Sequence, residues 1–464
     1  MSIFSKIRTA GKKAFDQIRN EKLKQNLLQA IPFWIASAVT GLVAVLYARL
    51  FALAEKGTSY LWHIHAWLFF VITPVCFIAA WWVVQRWAPY ARGSGIPQVM
   101  AAIELATPKY NEKVNKLLNL RILVVKFVSS LIMAFSGGVI GREGPTIQVA
   151  GCIFRKINEW LPEWWPKISK RNMIMTGAAA GLAAAFNTPL GGIVFVVEEL
   201  TRTHISYFKT ALFTAIIIAG LTAQALLGPY LYLGYPDVGH LSSYILLCIV
   251  AAAIVAGLAG SLMSKLILGI FRWKGKFRFT RQHVFFIAGC AVILVSLAFF
   301  VDERALGSGK ELMTTSLFTE HKYNSWYMPL LRIGGPLLSF TTGAAGGIFA
   351  PALSAGASIG ATLAGWMSLA PTDTNILVLS GMVAFLTGVT RTPFTSAILV
   401  LEMTDRHNVI FHLMLAGLAA SLVALLVDKH SLYDHLKYQY THAVLAEDAP
   451  AVPANDTPTE DSKE

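Results

Sequence analysis

A glutamate stands among glycines with apolar sequence on both sides, in the run Gly137-Gly138-Val139-Ile140-Gly141-Arg142-Glu143-Gly144-Pro145. An ionisable side chain in a membrane segment costs about 2.5–3.5 kcal/mol on insertion scales, so it persists where it faces protein, water or an ion path. The glycines around it let backbone amides approach a small ligand closely. Two further runs share this make-up, Gly93-Ser94-Gly95-Ile96-Pro97 and Gly346-Gly347-Ile348-Phe349-Ala350-Pro351, each with Gly before a Pro as at a helix start. Helix N-termini present unpaired amides and a partial positive charge, and several of them converging on one point hold an anion without a buried Lys or Arg. A small inorganic anion fits such a site best. For any one motif taken alone, the alternative is close helix packing through small residues.

The elements that must carry these motifs follow from composition. Of 464 residues, 55% are hydrophobic and 14% charged, against about 25% charged in a soluble globular chain. This is the composition of an all-α, polytopic membrane protein. Apolar stretches recur around 30–54, 67–85, 122–140, 173–186, 209–228, 244–270, 284–301, 328–340, 348–366, 376–390 and 408–427. Several reach the roughly 20 residues that a crossing needs. The runs 146–154, 190–197 and 394–401 are shorter and bounded by Pro, Gly or charge, which predicts helices that stop partway through the bilayer.

Residues 1–29 are polar and basic, with no signal-peptide pattern, and Lys6, Arg8, Lys12, Lys13, Arg19, Lys22 and Lys24 precede the first span, so the positive-inside rule puts this end in the cytoplasm. The interleaved Ile3, Phe4, Ile7, Phe15 and Ile18 fit an amphipathic helix on an anionic leaflet; a topology signal alone fits equally. A membrane domain over 30–440 and a disordered acidic tail over 441–464, with no regulatory domain, complete the expected organisation. The net charge of +13 is scattered over loops and does not predict nucleic acid as a partner. Cys76, Cys152, Cys248 and Cys290 lie in or beside apolar segments without metal-ligand spacing, so they read as buried thiols and no metal or cofactor is expected.

Sliding the chain on itself by 204 residues sets Thr176–Leu200 on Ser380–Thr404, pairing Gly177 with Gly381, Thr188-Pro189 with Thr392-Pro393 and Glu198 with Glu402. A second match sets Gly137-Gly138-Val139-Ile140 beside Gly346-Gly347-Ile348-Phe349. Two matches in the same order predict two halves. In transporters such halves are often inverted repeats, with the binding site near the midplane on interrupted helices.

The three glycine motifs together resemble the CLC family of chloride channels and chloride/proton antiporters. So do the run from Gly177 to Pro189 and the run Leu399-Val400-Leu401-Glu402-Met403-Thr404-Asp405, and the likeness covers about residues 30–440. The resemblance implies a homodimer with one anion pathway per subunit, about eighteen helices per subunit, many short and tilted, and both termini in the cytoplasm; the expected lack of a regulatory domain and of targeting signals favours a prokaryotic inner membrane. It also implies roles. Ser94 resembles the hydroxyl donor of the central anion site, Tyr433 the phenol facing it, and the amides of Ile348 and Phe349 the backbone donors. Glu143 resembles the gating glutamate, whose carboxylate competes with chloride and swings away when protonated. Glu199 aligns with the inner proton-transfer glutamate of the antiporters, which the channels usually lack, so exchange of chloride for protons is expected and a passive channel is the alternative. Lys126 resembles a basic residue of the antiporters; pairing with a carboxylate is its bland reading. Glu198 and Glu402 read as structural, satisfying backbone amides or a basic group.

Gln98 departs from the Glu that many relatives carry after Gly-Ser-Gly-Ile-Pro, which puts inner-side detail depending on that carboxylate in doubt. Thr341-Thr342-Gly343-Ala344-Ala345 is a milder departure. Ser94, in place of the Pro of nitrate-preferring relatives, favours chloride, and the Ser94 and Arg142-Glu143 pattern argues against the fluoride-exporting branch. An intramembrane enzyme is not expected: there is no His-Glu-x-x-His pair, and Ser94 and Ser308 lie in Gly-Ser-Gly without the further Gly of a nucleophile motif.

Overall fold

A computed structural model describes residues 20–200, 209–228, 231–239, 241–320 and 322–447. In the first half the helices are α1 (Glu21–His65), α2 (Phe69–Trp87), α3 (Ile96–Leu105), α4 (Val114–Leu117), α5 (Leu120–Phe135), α6 (Glu143–Trp160), α7 (Lys170–Phe186), α8 (Pro189–Phe195) and α9 (Lys209–Leu227). The second half follows with α10 (Ile245–Lys274), α11 (Thr280–Phe300), α12 (Lys310–Phe318), α13 (Met328–Phe340), α14 (Phe349–Trp366), α15 (Pro371–Thr390), α16 (Pro393–Thr404), α17 (Ile410–Val427) and α18 (Leu432–Ala446). Residues 1–19, where most of the basic segment falls, and the tail beyond 447 lie outside the described residues. The boundaries expected at 29/30 and 440/441 both fall inside helices, α1 and α18. Composition changes at these points, and a helix crosses such a change because its backbone ladder needs no apolar side chains.

Seven helical stretches among the described residues are long and apolar enough to cross a membrane. They are not equivalent. In α15, 94% of the span is buried inside the protein, whereas in α11 only 33% is. The first is therefore a central post; the second, like α17 with its exposed Phe411, Leu422 and Leu426, turns an apolar face outward, as a helix against lipid does. Of the runs expected to stop midway, 190–197 and 394–401 fall largely in the short α8 and α16, whereas 146–154 lies within the 18-residue α6, because the apolar run is continued at both ends by residues that stay helical; α3 and α12 are short as well. Small residues set the central packing: α7 closes on α6, and α15 on α14, where Gly356 and Gly381 meet backbone to backbone.

The two halves repeat one plan in inverted orientation. Helix α7 ends at Asn187 (φ 59°) and α15 at Arg391 (φ 63°), both left-handed. Asn tolerates that region. Arg391 is held there by its guanidinium, which donates to the carbonyls of Gly388, Ala424 and Asp428. Thr188 and Thr392 then stand at the positions that precede α8 and α16, each followed by Pro at the first helical position.

The register of the second sequence match needs correction. Gly141 and Gly347 exchange backbone hydrogen bonds, Gly141 N to Gly347 O at 2.8 Å and Gly347 N to Gly141 O at 2.7 Å, as two residues on a local two-fold axis must. Glu143 and Phe349 begin α6 and α14, so the structure pairs Gly141 to Pro145 with Gly347 to Pro351, three residues away from the alignment on Gly-Gly. That alignment followed residue identity, but the loops entering the two helices differ in length. The structure adds a third correspondence: Gly93-Ser94-Gly95 before α3 and Gly307-Ser308-Gly309 before α12, each with both glycines at positive φ.

Candidate anion-binding site

Three helix starts meet near the two-fold axis. The loop before α3 is stitched to the loop before α14 by Gly93 N to Ala344 O (2.8 Å) and Gly346 N to Gly93 O (3.1 Å), and the Gly141–Gly347 pair ties α6 to α14. Each helix leaves amides free. In α6 the first intrahelical bond is Thr146 N to Arg142 O, and in α14 it is Ala352 N to Ile348 O. Pro145 and Pro351 occupy the third helical position and have no N–H. The orphan donors are therefore Glu143 and Gly144 in one helix and Phe349 and Ala350 in the other, flanked by the cap residues Arg142 and Ile348. A side chain at Gly144 would strike the Ser94 hydroxyl, so α6 can lie against the Ser94 turn only with glycine there.

The sequence-predicted residues come together here. Glu143 is 1% exposed, lies over Gly141, and directs its carboxylate to its own amide and that of Ala350. Ser94 (2% exposed) and Tyr433 (fully buried) turn their hydroxyls toward each other, and among the described residues neither hydroxyl has a hydrogen-bond partner in the protein. Tyr433 is held in place from two sides. Ser431 caps α18 in a reciprocal box with Asp434, and the phenol ring lies parallel to that of Phe349 (9° between planes, centroids 6.1 Å apart). Buried polar groups normally find partners, and two hydroxyls without one among the described residues, beside helix-start amides and a carboxylate, form an arrangement that a small anion would complete.

Glu199 stands in a π-helical turn, Val196–Leu200, that continues α8; it is half-buried, and both it and Glu143 act electrostatically on the Tyr433 phenol. Such turns often mark functional positions. In the second half α16 stays α-helical, with buried Met403 at the equivalent place.

Among the described residues Lys126 does not pair with a carboxylate. Its fully buried ammonium donates to Gly93 O at 2.9 Å and so fixes the turn that presents Ser94. Gln98 donates to Arg92 O (2.7 Å) and Tyr90 O (3.2 Å), two contacts that a carboxylate in its place could not make.

Sequence reasoning passed over Gln148, which donates to Leu117 O (3.0 Å) and Tyr90 O (3.2 Å) and fits against Gly95; a buried amide five residues after Glu143 was its only signal. It also passed over a cavity of about 230 Å³ that reaches Glu143 from one face, with Arg49, Glu55, Arg142, Ser308 and Lys310 in its walls. Nothing in the linear spacing links those residues.

Residues 75–425 match the family model described as the voltage gated chloride channel. The chain belongs to this CLC family. Among the curated members it resembles is the H(+)/Cl(-) exchange transporter ClcA of Citrobacter koseri, 30% identical over 424 residues, covering 86% of each chain. ClcA of Salmonella gallinarum is 29% identical over 473 residues, with 94% of this chain and 95% of that one covered. Among solved CLC structures, a slow cyanobacterial Cl-/H+ antiporter superposes with a TM-score of 0.78 at 23% identity, over 89% of this chain and 98% of that one. A CLC-type fluoride/proton antiporter superposes at 0.74 with 20% identity, covering 90% and 99%. At such identity these structures establish the CLC fold.

Proposed function

We propose that the protein exchanges chloride for protons across a membrane, with Glu143 and chloride taking turns at the amides that begin α6 and α14. The observation that carries this reading is the seat of the Glu143 carboxylate: it faces backbone donors at two helix starts, beside two hydroxyls without protein partners among the described residues. A carboxylate and a chloride draw on the same donors, so they exclude each other. Protonation removes the charge that holds the side chain there, and the neutral group gives way to the anion. Ser94, Tyr433 and the amides of Ile348 and Phe349 hold the incoming chloride. Glu199 supplies protons to Glu143 from the inner side. The exchange named for the curated relatives supports this assignment over a passive channel.

The protein works as a homodimer with both termini in the cytoplasm of a prokaryotic inner membrane, so the cavity leading to Glu143 opens to the outside. Vesicles carrying the purified protein and a chloride gradient test the whole reading. Uphill proton movement is expected, and Glu143→Ala abolishes it while chloride flux continues. Chloride flux without any uphill proton movement in the unaltered protein would replace the exchanger with a channel.

A further inference from the structure

The face on which Glu143 opens holds a second carboxylate that the exchange scheme leaves unused. Glu55, on α1, accepts a hydrogen bond from the Ser308 amide at 3.0 Å. Ser308 belongs to the turn Gly307-Ser308-Gly309, the second-half counterpart of Gly93-Ser94-Gly95. The turn that offers its serine to the anion site in one half has a carboxylate seated on it in the other.

Its position relative to open space is what distinguishes Glu55. Two cavities lie on this face, the one of about 230 Å³ that reaches Glu143 and one of about 570 Å³ adjoining it. Ala52, Glu55, Ser308 and Lys310 line both and form the neck between them; Glu143 lines only the first. A proton moving between the outer space and Glu143 along these cavities passes Glu55. The charged and titratable groups around the neck are Arg49, Lys56 and His63 from α1, Arg142 and Glu143 from the start of α6, Lys310 and Glu311 from α12, Glu303 and Arg304 from the turn before it, and Arg332 from α13. Cations predominate, so the neck draws chloride inward by field alone. Protons gain nothing from that field and need a group that carries them.

We propose that Glu55 is a further proton-handling residue of the exchange reaction, relaying protons between the solution on this face and Glu143. In the inward direction Glu55 takes a proton from water, its carboxyl passes that proton to the Glu143 carboxylate through the 230 Å³ cavity, and Glu55 returns to its ionised form. Outward transport reverses each step. The proposal rests on the exchange reading above.

Glu55→Gln isolates the proton. The amide oxygen still accepts from Ser308 N, so the contact with the turn is kept and only the titrating group is lost. In reconstituted vesicles the variant is expected to turn over roughly tenfold or more slowly, with its dependence on outer pH flattened and its dependence on inner pH kept; Glu55→Asp restores most of both. Glu55→Cys provides a second route that does not need the Gln protein to fold. Alkylation with iodoacetate puts a carboxylate back in the neck and speeds exchange, whereas iodoacetamide, which adds the matching amide, does not. Unaltered turnover and outer-pH profile in Glu55→Gln, or equal rates after the two alkylations, would overturn the relay, provided the parent protein pumps protons in the same vesicles. Failure of the parent to pump would instead overturn exchange itself.

Discussion

Glu198 and Glu402 each cap a helix that belongs to the opposite half of the chain. Glu198 accepts from Phe394 N (3.1 Å) and Thr395 N (2.6 Å) at the start of α16, and Glu402 accepts from Leu190 N (3.0 Å) and Gly191 N (2.6 Å) at the start of α8. Charge at a helix N-terminus is favourable, and here the same bond is made twice about the two-fold axis. The pair is a clasp between the halves, and by anchoring Glu198 it also fixes where its neighbour Glu199 points.

Breaking the clasp should therefore cost stability from either side. Glu402→Ala and Glu198→Ala are each expected to lose about 1.5–3 kcal/mol, the range for hydrogen bonds to a charged group. Since both act on one interface, the double variant should lose less than the sum. Chemical unfolding in detergent of the four proteins gives the comparison, and strict additivity would mean that the two caps act independently.

Tyr433→Phe separates the fold from the site. The phenol oxygen has no protein partner among the described residues, while its ring stacks on Phe349. Deleting the oxygen should leave stability within about 1 kcal/mol and weaken chloride binding roughly two- to tenfold, one hydrogen bond's worth. Calorimetric titration of the solubilised protein with chloride measures the second quantity; an unchanged affinity would remove the phenol from the site.

Gly144→Ala tests the close approach of α6 to the Ser94 turn. The added methyl would sit 2.9 Å from Ser94 O and 3.3 Å from Ser94 Cβ, as well as against the hydroxyl. The turn cannot yield easily, since Lys126 and the bonds to Ala344 and Gly346 pin it. A loss of about 1–3 kcal/mol is expected from overpacking, together with weakened chloride binding in the same titration.

Arg332 is fully buried and donates to the carbonyls of Arg304, Ala305, Leu306 and Gly307 at 3.1 to 3.4 Å. It shapes the turn that leads to Ser308. Arg332→Met should cost about 1–3 kcal/mol or more, since buried carbonyl oxygens lose their charged donor. Arg332→Lys should recover only part of it, because a compact ammonium cannot reach four acceptors with one rigid fork. Thermal unfolding and yield of folded protein report both.

Much of this was legible in the linear sequence for physical reasons. Gly, Pro and a lone carboxylate in apolar surroundings are residues with few alternative uses, so the runs at Ser94, Glu143 and Ile348 marked helix starts in a membrane. The 204-residue repeat survived because Thr-Pro helix starts and the Glu198/Glu402 bonds must be built twice. What stayed hidden depends on loops of unequal length. The true register of Glu143 against Phe349 is visible only once Gly141 and Gly347 are seen to bond each other, and Glu55, Arg332 and Ser308 meet across more than 250 residues of chain without any pattern in the spacing. Lys126 could be read only as a buried cation; that its acceptor is a carbonyl rather than a carboxylate is a fact of three dimensions.

A molecule folded as two copies of one design facing opposite ways would, on symmetry alone, treat the two aqueous phases alike. The equivalence of positions 143 and 349 breaks that evenness at the centre, since an acid stands at one and a benzene ring at the other. The chain thereby acquires a front and a back at its centre without any change of architecture.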